Sequence, residues 1–281
     1  MTTLAAQGIY VGWQLDPVLI GGILALGVTY ALAVGPLRAR LAPGQPFPKG
    51  PAVWFYAGLG LLYLAEGSPL HDLAERYLLA AHMIQHLGLA YVVSRMLLVG
   101  VPAWLWRAVL LHPLVFPTAR ALLRPVVTFL VFSVLFALWH VPSIYQAALL
   151  SSWVHHVEHV VFLVTAIMLW WPILSPLEEL PKASHLVRLA YLFVLPIAQL
   201  PVFAGITFHP DVVYPIYAMA PRAFGLDVMS DQALAGAIMK VFGLVFFGLP
   251  FARIFFDWYR RENGRSITQG DMRPTAEPIA S

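Results

Sequence analysis

The sequence predicts an all-α polytopic membrane protein: a bundle of seven transmembrane helices with the N-terminus outside and the C-terminus cytoplasmic. Three observations predict it. The 281 residues are 60% hydrophobic and 11% charged, with a mean hydropathy of +0.75; a typical soluble domain has about 25% charged residues. Apolar runs close to the roughly 20 residues needed to cross a bilayer recur along the chain. Lysine and arginine collect on alternate connections, as cytoplasmic loops require.

Taken in order, the first span is Pro17–Gly35. No Lys or Arg precedes it, so it reads as a retained span and not as a cleavable signal, which needs a basic leader. Pro51–Glu66 is a second, short span. Tyr77–Gly100 is the third, Val126–Val141 a short fourth, Val154–Leu174 the fifth, Val187–Phe208 the sixth and Gln232–Trp258 the seventh. Pro102–Leu123 is apolar but broken by Pro, Arg and His, and reads as one or two interfacial helices. Residues 1–258 thus form a single transmembrane domain, and residues 259–281 read as a polar, disordered cytoplasmic tail.

With this orientation, of the 17 lysines and arginines only Arg76 and Arg222 fall outside, and Lys240 lies within the last span. The formal net charge of +3 is therefore a property of cytoplasmic loops, and nucleic acid is not implied as a partner; the lipid bilayer is. Cysteine is absent. That excludes disulfides, thiolate metal sites, iron–sulfur clusters and a cysteine nucleophile.

The ten histidines are distributed unevenly. His71, His82, His86, His140, His155, His156, His159 and His209 fall at the outer end, and only His112 and His185 at the cytoplasmic end. His82–His86 and His155–His159 are i, i+4 pairs, so the imidazoles of each pair share a helix face. Imidazole is the commonest protein metal ligand, and ionisable groups in membrane spans point to function. His82, His86, His155 and His159 are the first candidate ligands. His140 and Met83 come next, with Glu158 as a ligand or as the group that orients an imidazole. His156 points elsewhere on its helix, toward the water interface.

Other readings of these residues are open at this level. His155-His-Val-Glu158-His159 matches the inverted zincin string, but no third ligand motif accompanies it. Several histidine pairs also evoke membrane di-iron hydroxylases and desaturases, whose clusters normally face the cytoplasm. Met83, Met219, Met229 and Met239 offer thioethers that with imidazole suit monovalent copper; as space-fillers in a bundle they need no such role. Lys240 snorkels, pairs with Glu66 or Glu158, or tunes a metal site. Asp231-Gln232 suits the start of its own helix, and the tryptophans suit an interfacial belt.

Several stretches together resemble the CtaG-like family of cytochrome c oxidase assembly factors, of the multi-span bacterial type. They are His82-Met-Ile-Gln-His86-Leu, Trp139-His140-Val-Pro-Ser-Ile-Tyr145, His155-His-Val-Glu158-His159 with Trp170-Trp171-Pro172 after it, Tyr214-Pro-Ile-Tyr217 and Asp231-Gln232-Ala-Leu-Ala-Gly236-Ala-Ile-Met239. They occur in the family's order over about residues 50–255. The resemblance implies a non-enzymatic protein of the bacterial plasma membrane that handles a copper ion on the outer side while a haem–copper oxidase is built. Cytochrome c oxidase subunits and a copper donor protein are the partners it implies, and a homo-oligomer is compatible with it. Copper rests on the resemblance; residue spacing alone equally admits zinc or iron. One departure is Lys240, where an apolar or aromatic residue is expected.

Overall fold

Helix starts in this chain are fixed by short polar residues followed by proline. The structure is a computed structural model that describes residues 8–270, with side chains through Asn263. The carboxylate of Asp16 accepts from the Val18 and Leu19 amides and begins α1, Pro17–Val34, with Pro17 supplying the fixed φ of a first helical turn. Helix α2 is Lys49–Gly67. Ser68 then caps α3, Pro69–Arg76, through the Leu70 amide. After a break at Tyr77 and Leu78 comes α4, Leu79–Gly100, which contains a π-helical turn at Leu89–Val93.

Two short helices follow, α5 (Ala103–Leu110) and α6 (Phe116–Leu122), matching the broken stretch in the sequence. Helix α6 leads at 71° into α7, Pro125–Trp139. Next are α8, Pro142–Leu150, and α9, Ser152–Leu174. The pair α10 (His185–Ala198) and α11 (Leu200–Thr207) is interrupted at Gln199 between Pro196 and Pro201. Helix α12 is Val228–Gly270. It runs past Tyr259, where the sequence places the start of the tail; residues 271–281 lie outside the described part.

The described residues contain helices and turns and no strand. Five helical segments are long and apolar enough to cross a membrane, or six if the bent α6–α7 pair is one span. Helix α2 has 19 residues but is not among them, because Lys49 and Glu66 lie at its ends and glycine and aromatic hydroxyls run through it.

Helix α4 is the axis of the bundle. About 67% of its most apolar stretch is buried, against 17% for α1, and it packs against α2, α3, α9 and α12. Small residues allow the close crossings that lipid alone does not drive. A Cβ on Gly100 would strike the Phe55 backbone of α2, and one on Gly236 would strike Thr207 of α11.

One end of α4 carries the histidines. The other is filled by aromatic rings: Trp170 and Trp171 are 1% and 2% exposed, Trp170 against Tyr91 and Phe247 and Trp171 against Trp106. Those two tryptophans are core residues and not the belt that the sequence suggests, whereas Trp153 is 74% exposed.

Candidate metal centre

Four helices place acidic and imidazole side chains at one end of the bundle. Helix α2 ends on Glu66; α3 carries His71 and Glu75 one turn apart; α4 carries His82, Gln85 and His86; α9 carries His155, Glu158 and His159. The start of α4 is fixed from outside. Its first amides, Leu79 and Ala80, donate to the Asp231 carboxylate of α12 at 2.8 and 3.0 Å. Asp231 thus caps a neighbouring helix and not its own, as the sequence suggested, and so sets the height of His82 and His86. Gln232 beside it holds the Val213 amide at 2.8 Å and donates to the Asp211 carbonyl at 3.1 Å.

Glu75 is oriented in a similar way. The Tyr217 hydroxyl donates to the Ala74 carbonyl at 2.7 Å, and the Tyr145 and Tyr217 hydroxyls are 2.7 Å apart. The Tyr145 ring lies against His82, with centroids 4.9 Å apart.

The sequence's first four candidates, His82, His86, His155 and His159, lie side by side. Ring centroids are 4.2 Å apart for His82 and His86, 4.0 Å for His155 and His159, and 4.7 Å for His86 and His159. His159 Nδ1 is hydrogen-bonded to Glu66 Oε2, and its Nε2 is 3.1 Å from His86 Nε2. A carboxylate that takes the Nδ1 proton leaves Nε2 as the lone-pair donor, the usual arrangement behind a ligating histidine. Two nitrogens about 3.3 Å apart span one edge of a tetrahedron with metal–nitrogen bonds of about 2.0 Å, so this pair is spaced to share an ion.

Glu75 bridges the remaining two. Its oxygens are 3.2 Å from His82 Nδ1 and 3.3 Å from His155 Nδ1. Neither approach has hydrogen-bond alignment: Glu75 Oε1, His82 Nδ1 and both ring nitrogens of His155 are buried without a hydrogen-bond partner. Glu66 Oε1, Gln85 Oε1 and Glu158 Oε2 are orphaned in the same way. An unpaired buried polar atom costs about 1–3 kcal/mol, and more if charged. So many in one place fit a bound cation. Three trios have ligand atoms within 4.8 Å of one another: Glu66, His71 and His155; Glu75, His155 and His159; His82, His86 and Glu158.

Burial raises the Glu75 carboxyl, but the imidazoles of His82, His155 and His159 outweigh it and hold Glu75 down at about 2. Burial lowers His71, offset in part by Glu75 and Glu66, which favours the neutral, metal-binding form of the ring. Gln85 lies against the ring, its amide 3.1 Å from His71 Nδ1; with the amide turned so that its unpaired Oε1 accepts from Nδ1, His71 Nε2 is the free donor atom.

The other sequence candidates are dispersed. His140 donates from Nδ1 to the Phe136 carbonyl at 2.6 Å; this leaves Nε2 as its free donor atom, although His140 joins none of the three trios. Met83 is 2% exposed within the main apolar core. His156 is half-buried and lies 3.4 Å from Asp16. His209 is exposed and bonded within its own turn to Asp211. Lys240 is exposed on α12 with Nζ 5.9 Å from the Phe203 ring, on a different wall of the bundle from Glu66 and Glu158.

Glu66, His71 and Glu75 were missed by sequence reasoning. The available signals were a carboxylate in the last turn of an apolar helix and the i, i+4 spacing of His71 and Glu75.

A cavity of about 290 Å³ opens between α1 and α9. Gln14, Asp16, Ser152 and His156 form its polar wall, and Glu66, His71, His155 and His159 lie along it. Leu19, Ile23, Leu89 and Leu163 form the apolar wall.

Among known proteins, the model of a family described as cytochrome c oxidase caa3 assembly factor matches residues 28–261. No curated protein and no solved structure matches the chain.

Proposed function

The chain belongs to the cytochrome c oxidase caa3 assembly factor family, and from that premise we propose that it holds copper at the outer face of the membrane and delivers it to a haem–copper oxidase under construction. The observation that carries this reading is the group of buried imidazoles and carboxylates whose donor atoms lack partners within the protein. Five histidines and three glutamates, His71, His82, His86, His155, His159, Glu66, Glu75 and Glu158, are the proposed ligands and orienting groups, with His140 beside them. Imidazole and carboxylate suit divalent copper; without thiolate such a site exchanges its ion more readily. Met83, a sulfur candidate from the sequence, has no part in this set.

The proposed topology has seven spans, α2 being the least apolar, with the N-terminus outside. Its support is the charge bias: only Arg76 and Arg222 fall on the histidine side. The proposed location is the bacterial plasma membrane. Oxidase subunits and a copper donor protein are the proposed partners, and no bond chemistry is assigned to the site.

The test is the copper content of the purified protein by elemental mass spectrometry, for wild type and for His82→Ala/His86→Ala. About one or two copper per wild-type chain, lost from a folded variant, is the expected result, since each lost ligand weakens metal affinity by about 10–100-fold or more. No copper in either after reconstitution sinks the reading.

A second reading is favoured by one observation. Carboxylates mixed with imidazoles and projected inward from helices are also the kinds of donor used by di-iron sites in helical bundles, although those have four glutamates and two histidines. It makes the chain a membrane oxidoreductase, and two iron per chain in the same measurement would establish it in place of copper.

A further inference from the structure

Resting on the metal-holding reading above, we propose that the site is a relay with two stops. A port formed by Glu66, His71 and His155 exchanges metal with the cavity, and a deep site formed by His82, His86 and Glu158 stores it. His159 and Glu75 connect the two.

The lining of the cavity separates the groups. All three port residues and His159 line it, and none of Glu75, His82, His86 or Glu158 does. An ion arriving from the cavity therefore meets the port first. The three trios of close donors form a series from there: port, then Glu75, His155 and His159, then the deep site. His155 belongs to the first two, so an ion leaving the port keeps one ligand while it gains the next.

The step into the deep site is equally short. His159 Nε2 is 3.1 Å from His86 Nε2, and Glu75 Oε1 is 3.2 Å from His82 Nδ1. Exchange one ligand at a time avoids placing a bare ion in an apolar interior, which is prohibitive. Nothing is oxidised or reduced: coordinate bonds to one donor form as those to another break, and the charge of the ion is unchanged.

The port and the deep site also differ in their surroundings. His155 lines the cavity, with both ring nitrogens free of hydrogen bonds just beneath its wall. His86 and Glu158 are 5% and 2% exposed and do not line the cavity. The port is thus suited to fast exchange and the deep site to slow release. Gly22 offers a means of closing the way in: it lines the cavity, and a Cβ added there has nothing within 4 Å, so a larger side chain can be introduced.

The experiment loads the full-length protein in detergent with Cu²⁺ alone and follows its extraction by EDTA, counting the copper that remains per chain. The expected wild-type result is two copper per chain leaving in two phases. His71→Gln removes the fast phase, Glu158→Gln removes the slow one, and Gly22→Trp slows loading and extraction severalfold without changing the final copper count. A single phase in wild type, or a plugged variant that loads and releases at the wild-type rate, overturns the relay while leaving copper binding intact. Should Glu158→Gln fail to fold, His86→Gln takes its place. A wild-type chain that binds no copper is instead the failure of the parent reading.

Discussion

The two ends of α4 and α9 treat their buried polar groups in opposite ways. At the tryptophan end most of these groups are paired, Gln199 Nε2 being an exception. The Trp170 indole donates to the Ala90 carbonyl at 3.0 Å, Trp171 to Leu180 at 3.1 Å, Tyr91 to Gln199 at 3.0 Å and Tyr191 to Leu169 at 2.8 Å. The Arg95 guanidinium lies 4.7 Å from the centre of the Trp170 ring. At the histidine end, two helical turns away, seven donor or acceptor atoms from Glu66, Glu75, His82, Gln85, His155 and Glu158 lack hydrogen-bond partners. The same two helices thus carry a region that is nearly complete by itself and one whose many unpaired donors fit a cation. The tryptophan end supplies rigidity, and the histidine end uses that rigidity to hold unpaired donors near one another.

The contrast is broken most severely by exchanging the phenotypes of the two ends. Trp170→Ala empties a core site and is expected to lower stability by about 3–5 kcal/mol, read as thermal melting in detergent, while copper per folded chain stays at the wild-type value. If Trp170→Ala removed copper from folded protein, the two ends would not be separable.

Removal of a charge at the other end sharpens the comparison. Glu158→Gln is expected to raise the melting temperature of metal-free protein and to lower that of copper-loaded protein. An unpaired buried carboxylate oxygen costs about 1–3 kcal/mol or more, which the neutral amide reduces, and the bound ion reverses the balance. A fall in both states would mean that Glu158 is a structural residue.

Asp231→Ala removes the external cap of α4. A lost cap costs about 0.5–2 kcal/mol, and because it sets the height of His82 and His86, a drop in copper affinity is expected along with the fall in melting temperature. Arg107→Ala is the smallest effect: its pair with Glu179 at 2.8 Å is exposed, exposed pairs contribute little, and no change in melting or in copper is expected.

Acid distinguishes the donors at the histidine end. Copper release is expected as pH falls from about 7 to about 5, where imidazoles gain protons. Glu75 is not the trigger. Its folded value is held at about 2, below its ordinary 4.5; a depressed carboxyl contributes stability above the ordinary value and loses it only as pH falls through the folded one. Loss of copper only near pH 2 to 3 would assign the binding to carboxylate alone.

Much of this was legible in the sequence because i, i+4 spacing acts within one helix. His82–His86 and His155–His159 each share a face as the spacing requires, and Glu158 joins them from one turn away. What spacing cannot show is which helix ends meet. Glu66, His71 and Glu75 come from α2 and α3, and their convergence on α9 depends on the packing of α4 between them. The cap from Asp231 to Leu79 and Ala80 spans about 150 residues of chain, a contact that no local rule addresses. Met83 follows from helix geometry: next to His82 in sequence, it lies about 100° around the helix and faces the apolar core. Trp170 and Trp171 read as interfacial by composition and are buried because α9 enters the bundle at its middle.

The central claim is that imidazole and carboxylate, without sulfur, hold copper at the histidine end. X-ray absorption at the copper edge of reconstituted wild-type protein tests it most directly. The expected result is a shell of nitrogen and oxygen ligands at about 2.0 Å with the outer scattering of several imidazole rings, and less copper per chain with weaker imidazole scattering in His82→Ala/His86→Ala. A sulfur shell at about 2.3 Å, which only a methionine could supply in this cysteine-free chain, or a spectrum unchanged in the double variant, would contradict it.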